Sequence, residues 1–211
     1  MEIRQVTRRV ALVVSLLALG TVPSCKTHST EPKIDAGVIM PMAPGDTWNY
    51  GSAWFDSTGV VTYSFTVEMS TYGPDTVGSF IGYGFYNFLL WPLSILFENE
   101  PDGVYSTNDP SAELIGTGPS SPQPIEIDKA LSYPTYPGDT LTYRGYLIRT
   151  QSINEMMTVP AGSFKCIHYD AYSADVLSYQ LWLSPNVGMV RVWRKLGPQV
   201  RVDSLQTYQL H

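Results

Sequence analysis

Apolar and polar residues alternate one by one along most of the chain from Met42 to the C-terminus. That is the period of a strand with one face covered. The clearest run is VVTYSFTVEM, residues 60–69. Val61, Tyr63, Phe65, Val67 and Met69 share one face, and Thr62, Ser64, Thr66 and Glu68 share the other. Shorter runs occupy 47–54, 75–83, 140–150, 153–159, 163–172, 178–184, 188–195 and 199–210, with turn signals between them: DSTG at 56–59, YGPD at 72–75, PDG at 101–103, PAG at 160–162, PNVG at 185–188 and LGP at 196–198. Strands about ten residues apart with such punctuation predict an all-β fold, a single antiparallel open half-barrel of roughly 9–12 strands with little helix. A β-sandwich is the alternative.

Two stretches break the alternation. GFYNFLLWPLSILF, residues 84–97, is apolar almost throughout. Pro92 makes a regular helix there costly by about 3 kcal/mol, so the segment reads as strand or hairpin in the core. Residues 111–134 carry four prolines and read as a long loop, with a short helical turn near Asp128–Leu131.

One phrase occurs twice. PGDTWNY at 44–50 returns as PGDTLTY at 137–143. Pro-Gly favours a tight turn, Asp accepts from backbone N–H groups, and Thr-x-x-Tyr opens a strand. The double use predicts two sheet halves that begin alike. The simpler alternative, that a good turn recurs by chance, stays open, because no alignment extends beyond those seven residues.

The N-terminus reads as a targeting segment. Arg4, Arg8 and Arg9 precede an uncharged apolar run from Val10 to Gly20, too short for a membrane span. VPSC, Val22–Cys25, resembles the lipobox of bacterial lipoproteins, in which the cysteine is acylated and becomes the first mature residue. The expected organisation is a signal peptide over 1–24, acylated Cys25 with a flexible tether over 25–41, and one β domain over 42–211. Acyl chains contribute about 0.8 kcal/mol per buried methylene, so such a protein is held at the cell envelope, expected at the outer membrane, without a transmembrane helix.

Removing residues 1–24 leaves 10 basic against 18 acidic side chains. Nucleic acid and anionic lipid surfaces are therefore poor partners. Cys166 is then the only free thiol, which excludes a disulfide scaffold.

Chemistry has few candidates. Phosphate cradles, nucleophile elbows, HExxH pairs and CxxC pairs are absent from the sequence. In CIHYD, Cys166, His168 and Asp170 are spaced by two and share one strand face, as a Cys-His-Asp relay or part of a metal site requires. The intervening Ile167, Tyr169 and Ala171 are the better core face. That makes the triad an outer polar row with Cys166 half-covered. Glu98, Glu100 and Asp102 crowd carboxylates at a turn, a weak candidate for calcium whose spacing matches no EF-hand loop. No cofactor is expected.

Gly45-x-x-Trp48-x-Tyr50, PDGVY at 101–105, TVPAGSF at 158–164 and PNVGMV at 185–190 occur in the order seen in a group of uncharacterised bacterial envelope lipoproteins, which the chain resembles over 42–211. The resemblance implies an open antiparallel half-barrel distantly similar to lipoprotein-localisation chaperones, whose concave apolar face holds acyl chains. It implies no activity. The motif residues have structural roles: Trp48 and Tyr50 face the core, Pro160 and Gly162 make a turn, Phe164 points inward from the next strand, and Gly188 accepts a tight connection.

The expectation is a non-catalytic, lipid-anchored module that binds an apolar or amphipathic ligand or a partner protein. Its 14 Tyr, 7 Phe and 5 Trp suit recognition. A structural or assembly subunit is the alternative. A hydrolase is least favoured, since His168 is the only plausible base among three histidines. An aromatic-lined pocket would mark the ligand binder, and a filled concavity with an exposed sheet edge the assembly subunit.

Replacing Cys25 by Ser is expected to release a folded, soluble domain. Carbonate-resistant membrane association of that variant would overturn the lipid anchor.

Overall fold

The computed structural model describes residues 38–87, 94–108 and 126–211. All twelve strands among them are antiparallel: β1 (Thr47–Phe55), β2 (Val61–Val77), β3 (Phe80–Tyr86), β4 (Ser94–Glu100), β5 (Gly103–Asn108), β6 (Ile127–Ser132), β7 (Thr140–Tyr143), β8 (Tyr146–Val159), β9 (Gly162–Ser173), β10 (Val176–Ser184), β11 (Gly188–Leu196) and β12 (Gln199–Gln209). No helix occurs among the described residues.

The strands form one sheet in the order β6-β5-β4-β3-β2-β1-β12-β11-β10-β9-β8-β7. Two six-stranded meanders, β1–β6 and β7–β12, are joined by the pairing of β1 with β12. The sheet curls until its edge strands β6 and β7 face each other, giving a nearly closed barrel with a seam. This is the expected open antiparallel barrel at the upper end of its strand range, and a single sheet excludes the sandwich. Each meander begins at one copy of the repeated phrase, which stands at the start of β1 and of β7.

Side chains of all parts of the sheet fill the interior. Trp48, Tyr50, Tyr143, Tyr169, Phe97, Leu131 and Leu181 are fully buried. The Trp48 indole N–H donates to Val187 O at 2.6 Å, and the Tyr50 hydroxyl donates to Met189 O at 2.8 Å. Each aromatic thus places its polar atom on a backbone acceptor at the end of β10–β11, as a buried indole or phenol requires.

Several expectations are corrected. YGPD, residues 72–75, is not a turn. β2 runs through it with a register shift between Tyr72 and Asp75, and the reversal falls after Val77. Pro74 sits at the irregularity, where a missing N–H breaks no ladder bond. Opposite it, Gly84 leaves room for the Tyr72 ring, which a Cβ there would meet at 2.0 Å and displace. The run 140–150 is two strands, reversed at Arg144–Gly145 with φ of 47° and 80°, the two left-handed residues of a tight hairpin. Asp128–Leu131 is not helical but part of β6, where Leu131 pairs with Val104 in the core.

Ile39 and Met40, assigned to the tether by sequence, are buried in the core cluster with Met42. Val38–Met42 forms a strap held by Asn186 N–H to Val38 O at 2.8 Å and by the Asn99 amide to Met40 O at 2.7 Å. Its apolar pattern has no period because it crosses strands rather than joining the sheet. On β2 the predicted apolar face is correct, but its burial fades along the strand: Met69 is buried, while Val61 and Tyr63 are 53% and 62% exposed. Of the apolar stretch 84–97, residues 84–86 belong to β3 and 94–97 to β4, and 88–93 lie outside the described residues.

Trp48→Ala should destabilise by about 3 to 5 kcal/mol through lost burial and a cavity against Phe85. A denaturant titration with an unchanged midpoint would refute its place in the core.

Candidate functional site

Strand β9 does place Ile167, Tyr169 and Ala171 in the core, with Cys166, His168 and Asp170 on the opposite face. Neighbouring strands supply that face with partners of the right kind. β10 sets Trp182 beside His168 and Gln180 beside Asp170. β8 reaches them through two register shifts between Thr150 and Glu155, which turn Glu155 onto Cys166. Sequence reading missed Glu155, because period two cannot be carried across a bulged segment.

The resulting network is centred on His168. Its Nδ1 lies 3.0 Å from Glu155 Oε2 and its Nε2 3.1 Å from Asp170 Oδ1, and the ring stacks on Trp182 with centroids 4.3 Å apart. Trp182 Nε1–H donates to Glu155 Oε1 at 2.8 Å, and the Ser152 hydroxyl donates to Oε2 at 3.1 Å. Asp170 accepts from Gln180 at 3.0 Å, Gln151 at 2.8 Å and the Tyr172 hydroxyl at 3.1 Å. Burial works to raise the Glu155 carboxyl, but the Trp182 N–H, the His168 charge and the Ser152 hydroxyl outweigh it and hold it below its usual range. The Arg191 guanidinium lies over the Trp182 ring at 5.7 Å.

This geometry does not make a relay. Both ring nitrogens of His168 face carboxylate oxygens, so neither is left to take a proton from Cys166. Cys166 is buried rather than half-covered, and its Sγ–H points to Phe164 O at 3.7 Å. Burial, with Glu155 adding to it, pushes the thiol up to about 12. A reactive cysteine needs the opposite shift.

Cys166 lies on the β8–β9 hairpin. Its VPAG tip docks on β12, where Ala161 N–H donates to Leu205 O at 3.1 Å and the Phe164 ring lies 6.1 Å from Tyr208. Phe164 is half-buried, packed against the core cluster and against Tyr208. Gly162 takes φ of 136° at the reversal, next to Pro160. Gly188 takes φ of 90°, a left-handed backbone that favours glycine, and a Cβ there would lie in ordinary contact, 3.6 Å from both Pro41 and the Trp48 indole.

The acidic turn candidates are not assembled as a calcium site. Asp102 is paired with Lys129 and accepts from the Tyr105 hydroxyl at 3.3 Å. Glu98, Glu100 and Asp102 line one cavity of about 280 Å3 with Phe80, Tyr105 and Ile127. Burial first, and then the Glu100 charge, raises the Glu98 carboxyl. Among the described residues no group of three His, Cys, Asp or Glu could hold a metal. Cys25 lies outside the described residues.

A polar cluster inside the barrel was not legible at all. Asp203, fully buried, accepts from Ser52 and from Arg201 Nε at 2.8 Å, and the guanidinium rests 5.0 Å over the Phe65 ring. A cavity of about 480 Å3 lies beside the strap between Val38, Pro41, Met42, Tyr83, Asn186 and His211. It is not an aromatic cage.

No family model matches the sequence, and no curated protein matches it. Among solved structures the chain is similar to a presumed lipoprotein from Parabacteroides distasonis, at 16% identity over 83% of this chain and all of that one, with a TM-score of 0.40. A superposition that loose carries no argument about this chain.

Cys166 should alkylate slowly at neutral pH, with a rate that climbs about tenfold per pH unit into the alkaline range and is indifferent to His168→Ala. The raised thiol also sets a sign for stability. The folded state holds this proton more tightly than the unfolded chain, so stability is full below the unfolded value near 8.5 and declines as pH rises toward about 12. Rapid labelling at pH 7 that His168→Ala abolishes would restore the relay.

Proposed function

We propose that this protein is a non-catalytic envelope module, lipid-anchored at Cys25, that works by holding a partner protein on the outside of its barrel. The observation that carries the reading is the filled interior. Trp48, Tyr50, Phe97, Tyr143, Tyr169 and Leu181 occupy the space that a half-barrel carrier would leave for acyl chains. The polar network on β8–β10 supports it from the chemical side, since its thiol is buried and its histidine engaged on both nitrogens.

The surface offered to a partner is the β1–β2 hairpin. Residues 60–64 are exposed on both strand faces, so the hairpin stands beyond the covered part of the sheet. Val60, Val61 and Tyr63 are more than half exposed, and Tyr63 stacks on Phe65 at 5.4 Å. Large side chains held by a ladder on one side and free on the other lose little entropy on docking.

Native mass spectrometry of full-length protein taken from its envelope in mild detergent tests this reading. The expected result is a protein partner at fixed stoichiometry that is lost from the Val61→Ser, Tyr63→Ser variant at unchanged melting temperature. A lipid retained by the Cys25→Ser domain, with no protein partner bound, would overturn it in favour of a carrier.

A further inference from the structure

We infer that the barrel is two copies of one six-stranded unit, β1–β6 and β7–β12, and that its β6–β7 seam is the second copy of the β1–β12 junction without the ladder, the line along which the barrel opens. The inference stands apart from the partner reading.

The turns carry the first argument. Gly45 and Gly138 have φ of 89° and 91°. Asp46 N–H donates to Ala43 O at 3.0 Å, and Asp139 N–H to Tyr136 O at 3.0 Å. The Asp46 carboxylate accepts from Ala43 N–H at 2.9 Å, and that of Asp139 from Tyr136 N–H at 2.8 Å. A good turn used twice by chance would reproduce these local bonds. It would not reproduce the next two. Thr71 N–H donates to Asp46 O at 3.0 Å and Thr71 O accepts from Gly45 N–H at 3.3 Å, while Thr150 N–H donates to Asp139 O at 2.9 Å and Thr150 O accepts from Gly138 N–H at 2.8 Å. Thr71 lies on β2 and Thr150 on β8, the second strand of each unit, at different sequence distances from their aspartates. The place in the fold is repeated, not the local sequence alone.

With that register the likeness lengthens. MPMAPGDT, 40–47, lies over YPTYPGDT, 133–140. TVGSF, 76–80, and TVPAGSF, 158–164, each make the turn from second to third strand, and PDG at 101–103 and PNVG at 185–188 each make the turn from fourth to fifth. The segment before each PGDT docks on the opposite unit: Asn186 N–H donates to Val38 O at 2.8 Å, and Tyr133 N–H to Asp102 O at 3.1 Å. The tyrosine closing each phrase reaches the fifth strand of the other unit. Tyr50 OH meets Met189 O on β11, and Tyr143 OH meets Ser106 Oγ on β5 at 2.5 Å.

The two junctions differ in one respect. β1 and β12 are paired from Thr47↔Gln209 to Phe55↔Val200. Among the described residues β6 and β7 share no ladder. Side chains span the seam instead, among them Tyr143 on β7 to Ser106 on β5, Tyr169 OH on β9 to Ser132 O on β6 at 2.9 Å, and Arg144 after β7 to Asp128 on β6 at 3.8 Å. A junction held by side chains opens more readily than a nine-residue ladder, and it gives the filled interior a route to solvent that does not require unfolding.

Hydrogen exchange on the full-length protein tests this, read at the β6 and β7 amides that bond to β5 and β8. They should exchange at least ~100-fold faster than β1 and β12 amides, and without dependence on low denaturant, as a local opening does. Tyr143→Phe should raise exchange in β6 and β7 several-fold and leave β1 and β12 unchanged, whereas Tyr50→Phe should open neither junction. Asp46→Asn and Asp139→Asn should both lower the melting temperature. Equal protection at the two junctions would overturn the opening line, and a silent Asp139→Asn would overturn the equivalence of the units.

Discussion

The rest of the structure depends on the pairing of the first strand with the last. β1 and β12 are separated by about 150 residues, and closing a loop that long costs roughly 4 to 5 kcal/mol of chain entropy before any contact is made. The ladder that offsets this is reinforced where the two chain ends meet. Asp46, buried, accepts from Ala43 N–H and from His211 N–H at 2.8 Å, which ties the strap before β1 to the residue after β12 with a single carboxylate. Until that junction forms, the chain is two meanders with open edges and little to cover their apolar faces. Afterwards it has one interior.

That interior explains both what the protein carries and what it lacks. Tyrosines and a tryptophan fill it with their polar atoms at its margins, where Val187 O, Met189 O, Ser132 O and Ser106 Oγ receive them. Each bond saves the cost of an unpaired buried hydroxyl or N–H, and each also fixes the distance between two strands. A charged pair inside, Asp203 with Arg201, sits next to Tyr50, whose hydroxyl is held well above its usual range first by burial and then by the Asp203 charge. Breaking that pair would leave a charge in the core, which costs more than the pair contributes.

The same economy of partners disarms the face that looked chemical. A thiol, an imidazole and a carboxylate do line up along β9, but Glu155 and Trp182 complete them into a closed network in which every donor has an acceptor. Such a network rigidifies β8–β10 and leaves nothing poised for proton transfer. Among the described residues, the hairpin of β1 and β2 and the β6–β7 seam are places where the sheet leaves groups uncovered.

The sequence by itself determined what is local. Alternation with period two and glycine or proline turns specified an all-β chain, most strand positions, and the core face of β9, because side-chain direction along a strand needs no information from elsewhere. The repeated PGDT likewise marked where each half of the sheet starts. Tertiary structure decided what depends on partners distant in sequence. Period two could not say that the tip of β2 would lie outside the covered sheet, that bulges in β8 would bring Glu155 to His168, that the β8–β9 tip would dock on β12, or that Cys166 would be buried. Nor could it say that an aperiodic strap would enter the core. Burial belongs to the assembled barrel, and only closure through β1 and β12 determines which faces are inside it.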